Sequence, residues 1–347
     1  MKVAVVSPYD LDRHGGVQDQ ARRLVRWLSG AGHEAILVGP GTEEAEDTVL
    51  LGPARVISAN RSAVPITLNF RIRGRLDEVV GDADIAHIHE PLMPLVGPAA
   101  LRVEGPAKVA TFHADPSRLV RSGYRFGRPV LRRILRSASA VTAVSPVAAS
   151  AIERVVPCRL VPNGIDLHEY ATGPKVHGHV AFLGRDDPRK GLDVLLAAWP
   201  RIVSVVPEAR LSVIGAARPD PPPGVEFLGA VDDEEKRSVL RSASVLAAPN
   251  LGGESFGIVV AEGMAAGCAV VASAIPAFVT VLGDSGVLVA PGDANGLGEA
   301  VAGLFFDPDR VAALGGAARR RATRFDGAEV AGAYLDVYAE ALERYGA

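Results

Sequence analysis

Strand-length apolar runs alternate with helix-length segments along almost the whole chain, and the pattern occurs twice. In the first half, strands are expected near 2–7, 35–39, 55–58, 84–89, 108–112 and 140–144, and helices near 17–30, 70–81, 93–103, 117–137 and 146–154. In the second half, strands are expected near 179–184, 210–214, 225–228, 244–248, 269–273 and 287–289. Helices there are expected near 190–206, 233–242, 257–266, 295–306 and 309–322. Continuous Val/Ile/Ala strands that alternate with helices belong to parallel sheets covered on both faces. The expectation is an α/β chain of two doubly wound, Rossmann-like domains, each binding ligands at the carboxyl ends of its strands. The turn-rich stretch Val161-Pro-Asn-Gly-Ile-Asp166 marks the boundary. The domains expected are 1–165 and 166–327, with an amphipathic final helix in 328–347 free to pack back on the first.

A length of 347 residues, 48% hydrophobic and 22% charged, suits two soluble domains with a core each. No apolar run approaches the ~18–20 residues of a membrane span. Lys2–Ser7 opens as a strand with no secretory pattern, and Cys158 and Cys268 are too few for a disulfide framework or a zinc site. A cytoplasmic protein with no bound metal and no nucleic-acid partner is expected. The net charge of −3 conceals an asymmetry. Residues 1–165 carry 21 Lys/Arg against 16 Asp/Glu, and the remainder 16 against 24. Within the basic half, residues 116–152 contain no acid, and Arg118, Arg121, Arg125, Arg128, Arg132 and Arg136 recur every three or four positions with apolar residues between. On one helix this stripe over 118–136 could rest on an anionic phospholipid surface, peripheral to the membrane. A solvated face is the plainer alternative, and Gly123, Gly127 and Pro129 would interrupt a single helix.

Chemistry concentrates in the second half. Pro249–Gly267 reads P-N-L-G-G-E-S-F-G-I-V-V-A-E-G-M-A-A-G, with Glu254 and Glu262 eight residues apart around a turn that opens an apolar helix. The backbone N–H groups of Ser255, Phe256, Gly257 and Ile258 stand at the positive end of that helix, a ready anion site. A polyhydroxylated ring, a diphosphate and a ribose together would use all of these features, which is the chemistry of a sugar nucleotide. Gly184-Arg185…Arg189-Lys190-Gly191 follows the first strand of the same half, and Arg185 and Lys190 suit phosphate binding. In the first half, Gly15-Gly16 at a strand–helix junction lets a phosphate or sugar approach the backbone. His113 ends a strand and is a candidate catalytic group, whereas His87 and His89, alternating inside a strand, suit a structural role.

These motifs, with His87-Ile-His-Glu-Pro91, Thr111-Phe-His113 and Val161-Pro-Asn-Gly164, occur in an order in which the chain resembles the retaining family 4 glycosyltransferases of the GT-B fold, two Rossmann-like domains facing each other across a cleft. Within that family it is similar to the actinobacterial phosphatidyl-myo-inositol mannosyltransferases. The resemblance implies transfer of mannose from GDP-mannose to a phosphatidyl-myo-inositol-type lipid at the cytoplasmic membrane face. It places the donor on Gly16, Arg185, Arg189, Lys190, Val231, Asp232, Asp233, Lys236, Glu254, Ser255, Phe256, Gly257, Ile258 and Glu262. Of these, Glu254 would hold the sugar, Glu262 the ribose and the Asp232–Asp233 segment the guanine. His113, Glu254, Arg185 and Lys190 would act in catalysis, and Tyr9, Gln18, Asn60 and Arg118 would bind the acceptor. Two positions depart from the pattern: the segment around Pro65 lacks the expected arginine, and Arg118 stands for a lysine. The resemblance implies no tightly bound cofactor and leaves dependence on magnesium open. It also implies retention without a covalent nucleophile, and a hinge near Pro162–Gly164. The alternatives are a UDP-sugar donor with a soluble or different lipid acceptor, or an epimerase of the same fold.

Overall fold

The computed structural model describes residues 1–59, 62–66, 72–115 and 118–346, with 55–59, 62–66, 118, 119 and 125 described by backbone alone. Two compact units emerge, Met1–Gly164 with Gly327–Ala347, and Ile165–Asp326.

The first unit contains β1 (Lys2–Val6), α1 (Gly16–Gly30), β2 (Glu34–Gly39), β3 (Thr48–Leu50), β4 (Arg55–Ala59), β5 (Ser62–Ile66), α2 (Ile72–Val80), β6 (Ile85–His89) and α3 (Val96–Ala100). These are followed by β7 (Ala107–Phe112), α4 (Arg118–Phe126), α5 (Arg128–Leu135), β8 (Ala140–Ala143), α6 (Pro146–Ala149) and β9 (Arg159–Leu160). Among the described residues, seven strands form one sheet in the order β3-β2-β1-β6-β7-β8-β9. Every pairing in it is parallel. β6 and β7 are buried at every position, the polar His87, His89, Lys108 and Thr111 included, as strands covered on both faces are.

The second unit contains β10 (Val176–Leu183), α7 (Leu192–Val205), β11 (Arg210–Ile214), β12 (Val225–Gly229), α8 (Asp233–Ser242), β13 (Ala243–Ala248), α9 (Ile258–Ala265), β14 (Ala269–Ser273), α10 (Pro276–Leu282), β15 (Val287–Val289), α11 (Ala294–Phe305) and α12 (Pro308–Ala322). Its sheet runs β12-β11-β10-β13-β14-β15, again parallel throughout. The last helix, α13 (Gly327–Gly346), lies in the first unit. Its Val330, Tyr334, Val337 and Tyr338 share a buried core with Val3, Val5, Leu24, Leu28, Ile85 and Val109.

The two parallel sheets are those the strand–helix alternation predicts. The differences are local. The strand expected at 55–58 is β4 of an antiparallel β4–β5 hairpin outside the parallel sheet. The helix expected over 117–137 is two helices. The break falls at Gly127, and Pro129 sits in the first turn of α5, where a missing N–H costs nothing. The helices expected at 93–103 and 146–154 shrink to α3 and α6. Conversely α10, rich in β-branched residues, is started by Pro276 at its first position. α9 presses closely on β13: a Cβ built on Gly263 would lie 2.2 Å from Leu246 Cδ2. No helix among the described residues is long and apolar enough to cross a membrane.

Candidate active site

β10 and β13 pair in parallel, so the loops leaving their carboxyl ends converge. The β10 loop continues through Gly184 and Arg185 into a single 3₁₀ turn, Pro188–Lys190, whose N-terminus is capped by Asp187 accepting from Arg189 N at 2.9 Å. Gly191 then takes a left-handed φ of 73°, and a Cβ there would lie 2.0 Å from Pro249 O, so only glycine lets this loop meet the β13 loop. Leu251 N donates to Arg189 O across the same junction. The result is an ion pair between Lys190 Nζ and Glu254, with Asn250 Nδ2 donating to Glu254 Oε1 at 2.9 Å. The Lys190 and Glu254 side chains are 21% and 17% exposed, sheltered but open to solvent on one side.

Glu254 leads into Gly257, whose φ of 101° turns the chain into α9. No side-chain hydrogen bond caps that helix, whose N-terminus carries the positive end of the helix dipole. Phe256 is buried edge-on against Phe325 at 5.4 Å and anchors the turn. Glu262, inside α9, is buried in a second cluster: Tyr170 Oη donates to its Oε1 at 2.9 Å and Lys236 Nζ at 3.0 Å. Burial pulls the Lys236 pKa down, but Glu262 and Asp233 outweigh it and leave it above its ordinary value. Asp232 caps α8 by accepting from Glu235 N at 2.8 Å, and Asp233 pairs with Lys236 at 2.8 Å.

In the first unit, Gly15 precedes α1 in extended conformation, and a side chain at Gly16 would meet nothing within 4 Å. Gln18 is buried and donates to Asp10 O at 3.2 Å. His113, just beyond β7, is held at its backbone by Glu90, whose Oε1 accepts from His113 N at 2.6 Å and Ala114 N at 2.7 Å. Burial drives the His113 pKa down to about 4, with the Asn163 side chain acting weakly the other way. Burial raises the Glu90 carboxyl, and Glu90 in turn helps burial raise the phenols of Tyr9 and Tyr124.

The structure therefore joins Lys190 to Glu254, and Lys236 to Glu262 and Asp233. The two glutamates belong to different clusters. Arg189 pairs with Asp187 at 2.6 Å, and Arg185 is exposed beside that pair. The Arg189 guanidinium holds the Asp187 carboxyl at about 2, and Arg185 adds to the effect. Val231 is half-buried ahead of α8. Asn60 and the Arg118 side chain lie outside the described residues. In the basic stripe, Arg121 pairs with Asp115, Arg128 donates to Arg154 O and Arg132 to Val155 O, while Phe126 and Val130 are 84% and 62% exposed. Glu90, Tyr170 and Asn250 are missed by sequence reasoning. Glu90 sits inside the H-I-H-E-P motif and was the most accessible of the three. Among the described residues, no group of three or more His, Cys, Asp or Glu side chains is placed to hold a metal ion.

Comparison with known proteins gives the arrangement its family. A family model described as Glycosyltransferase Family 4 matches residues 14–169, and one described as Glycosyl transferases group 1 matches 177–307. The chain is 36% identical to the phosphatidyl-myo-inositol mannosyltransferase of Mycolicibacterium smegmatis, over 97% of this chain and 93% of that protein. It is 36% identical to the protein of that name from Propionibacterium freudenreichii, over 83% and 81%. Among solved structures, a sucrose-phosphate synthase from Thermosynechococcus elongatus superposes with a TM-score of 0.74 at 23% identity, covering 98% of both chains, a likeness of fold. With two parallel Rossmann-like sheets and relatives matching from end to end, the chain belongs to the family 4 glycosyltransferases of the GT-B fold.

Proposed function

We propose that this glycosyltransferase moves mannose, with retention, from GDP-mannose to a phosphatidyl-myo-inositol-type lipid at the cytoplasmic face of the membrane. The observation that carries the reading is the Lys190–Glu254–Asn250 cluster beside the uncapped start of α9. The names of the full-length relatives support mannose and the inositol lipid.

In this reading Lys190 and Arg185 face the donor diphosphate, with Arg189 behind them, and the N–H groups from Ser255 to Ile258 take the remaining phosphate or sugar oxygens. Glu254 accepts hydrogen bonds from the mannose hydroxyls. Glu262, fixed by Tyr170 and Lys236, holds the ribose, and the Val231–Asp233 stretch at the start of α8 meets the guanine. Gly16 leaves room for the diphosphate. As the bond from the anomeric carbon to the phosphate oxygen breaks, negative charge grows on GDP, where Lys190 and Arg185 stabilise it. The acceptor hydroxyl attacks from the face that GDP leaves and gives its proton to the departing phosphate oxygen, so configuration is kept with no protein nucleophile. His113 hydrogen-bonds the reacting sugar. Tyr9, Gln18, Asn60 and Arg118 receive the acceptor headgroup, while exposed Phe126 and Val130 among the arginines of α4 and α5 rest on the anionic surface.

The test is incubation of the protein with GDP-mannose and vesicles containing phosphatidylinositol, followed by NMR of the glycolipid. The reading predicts an α-mannosyl lipid formed from GDP-mannose. Product formed only from a UDP-sugar, or only on a soluble acceptor, would overturn it.

A further inference from the structure

The loop from β10 to α7 is laced to its neighbours on two sides. Toward β13 it is held by the Lys190–Glu254 pair, by Leu251 N donating to Arg189 O and by the fit of Gly191 against Pro249 O. Toward β11, Gly184 N donates to Ile214 O at 2.9 Å. Gly215, at a left-handed φ of 91°, passes so close that a Cβ there would lie 2.8 Å from Gly184 O. Ala216 beyond it is buried. Two residues later the chain presents Arg218. Its Nε and Nη2 donate to the two carboxylate oxygens of Asp186 at 2.8 and 2.5 Å, and its Nη1 to Asp193 Oδ1 at 2.6 Å. Asp186 precedes the Pro188–Lys190 turn and Asp193 follows it, so one guanidinium reaches both flanks of that turn.

The consequence is electrostatic. Residues 185–193 carry three cations, Arg185, Arg189 and Lys190, and three acids, Asp186, Asp187 and Asp193. Alone, this segment has no net charge with which to attract an anion. Asp187 is answered by Arg189 within the loop, whereas Asp186 and Asp193 are both answered from outside it, by Arg218. Arg185 is exposed and adjoins Asp186 in sequence. An uncompensated Asp186 would compete with a phosphate for that guanidinium. Isolated exposed ion pairs contribute little, but a bidentate guanidinium shared by two acids is the geometry in which such a pair counts.

We propose that Arg218 is a positioning residue of the donor site: by neutralising Asp186 and Asp193 on both flanks of the loop, it keeps Arg185 and Lys190 for the diphosphate of a bound nucleotide. The inference rests on the donor site proposed above. Arg218 itself acts through the acids and touches neither sugar nor phosphate.

The test is calorimetric titration of the full chain and its variants with GDP, at ~0.1 M and ~1 M salt, where the screening length falls from about 10 to about 3 Å. Arg218→Ala is expected to raise the GDP dissociation constant about 5- to 30-fold at the lower salt, the equivalent of one to two exposed ion pairs. That deficit should shrink at the higher salt. The triple variant Arg218→Ala/Asp186→Asn/Asp193→Asn removes the acids together with their partner, so most of the affinity should return. Arg218→Ala binding GDP as tightly as wild type, a deficit indifferent to salt, or a triple variant as weak as the single one would overturn the proposal. Should the single variant unfold, the triple variant decides: near-wild-type affinity supports charge cancellation, and a large loss overturns it. A wild type that bound UDP in place of GDP would overturn the donor assignment, and the Arg218 comparison would then be made with UDP, since the diphosphate is common to both.

Discussion

Replacing Lys190 by alanine separates two contributions that the structure superimposes on one side chain. In the folded chain the ammonium neutralises Glu254, and in the proposed reaction it also meets the charge growing on GDP. The first contribution is small. Exposed pairs are worth about 0–1 kcal/mol and breaking a buried one costs about 3–5. With exposures of 21% and 17%, and with Asn250 still on Glu254, the loss should be about 1–2 kcal/mol by that interpolation. At ~2–4 °C per kcal/mol for a unit of this size, the melting temperature of Ile165–Asp326 should drop by about 2–8 °C. The second contribution is large: about 10²–10³ in kcat, or ~2.7–4 kcal/mol. The double variant Lys190→Ala/Glu254→Gln distinguishes them. It removes the orphaned carboxylate charge, so stability should recover while turnover does not. Calorimetric melts and initial-rate assays on the same preparations provide both numbers. Turnover of Lys190→Ala equal to wild type, or recovery of rate in the double variant, would refute the reasoning.

Tyr170→Phe removes one of the two donors on Glu262 Oε1, a hydrogen bond to a charged group worth about 1.5–3 kcal/mol. The account expects weaker nucleotide binding with nearly unchanged kcat, and a rise in kcat effect alone would place Tyr170 elsewhere in the cycle. Tyr338→Phe leaves His87 Nδ1 unpartnered in the first unit and should cost about 1–3 kcal/mol in denaturant unfolding; no loss would mean that a buried water replaces the phenol. Acidification should destabilise the first unit. Burial lowers His87 to about 3 and His113 to about 4 from an ordinary 6.5, and His89 well below it. Between these values the unfolded chain binds more protons, so this stability is present above pH 6.5 and is lost as the pH falls through 6.5 toward 4. From pH 6.5 to 5.5 the three rings together should cost roughly 3 kcal/mol, part of it offset by Glu90, whose raised carboxyl works in the opposite sense. Melts at the two pH values check this, and a flat profile would contradict the burial of these histidines.

The parallel sheets were legible because β13 and β14, buried at every position, read as near-continuous apolar runs. The β4–β5 hairpin was not, since Arg55–Ala59 reads like any other short apolar run and its partner contains Pro65. Motif reading found Lys190 and Glu254 separately. Their meeting depends on β13 lying beside β10, a strand order that follows from the crossover path and not from either motif. Tyr170 was invisible for the same reason: it reaches Glu262 from a turn-rich stretch 92 residues earlier. The paired acids also show the limit of spacing arguments. Eight residues places both near one helix entrance, but α9 starts only at Ile258, after left-handed Gly257, so Glu254 lies in the preceding loop and each carboxylate finds its own lysine.

The central claim, a GDP-mannose site built on Lys190, Glu254 and Glu262, is tested most directly by calorimetric titration of the chain with GDP, UDP, GDP-mannose and UDP-glucose. The account predicts binding of GDP and GDP-mannose in preference to the uridine compounds. Preference for UDP or UDP-glucose would contradict it.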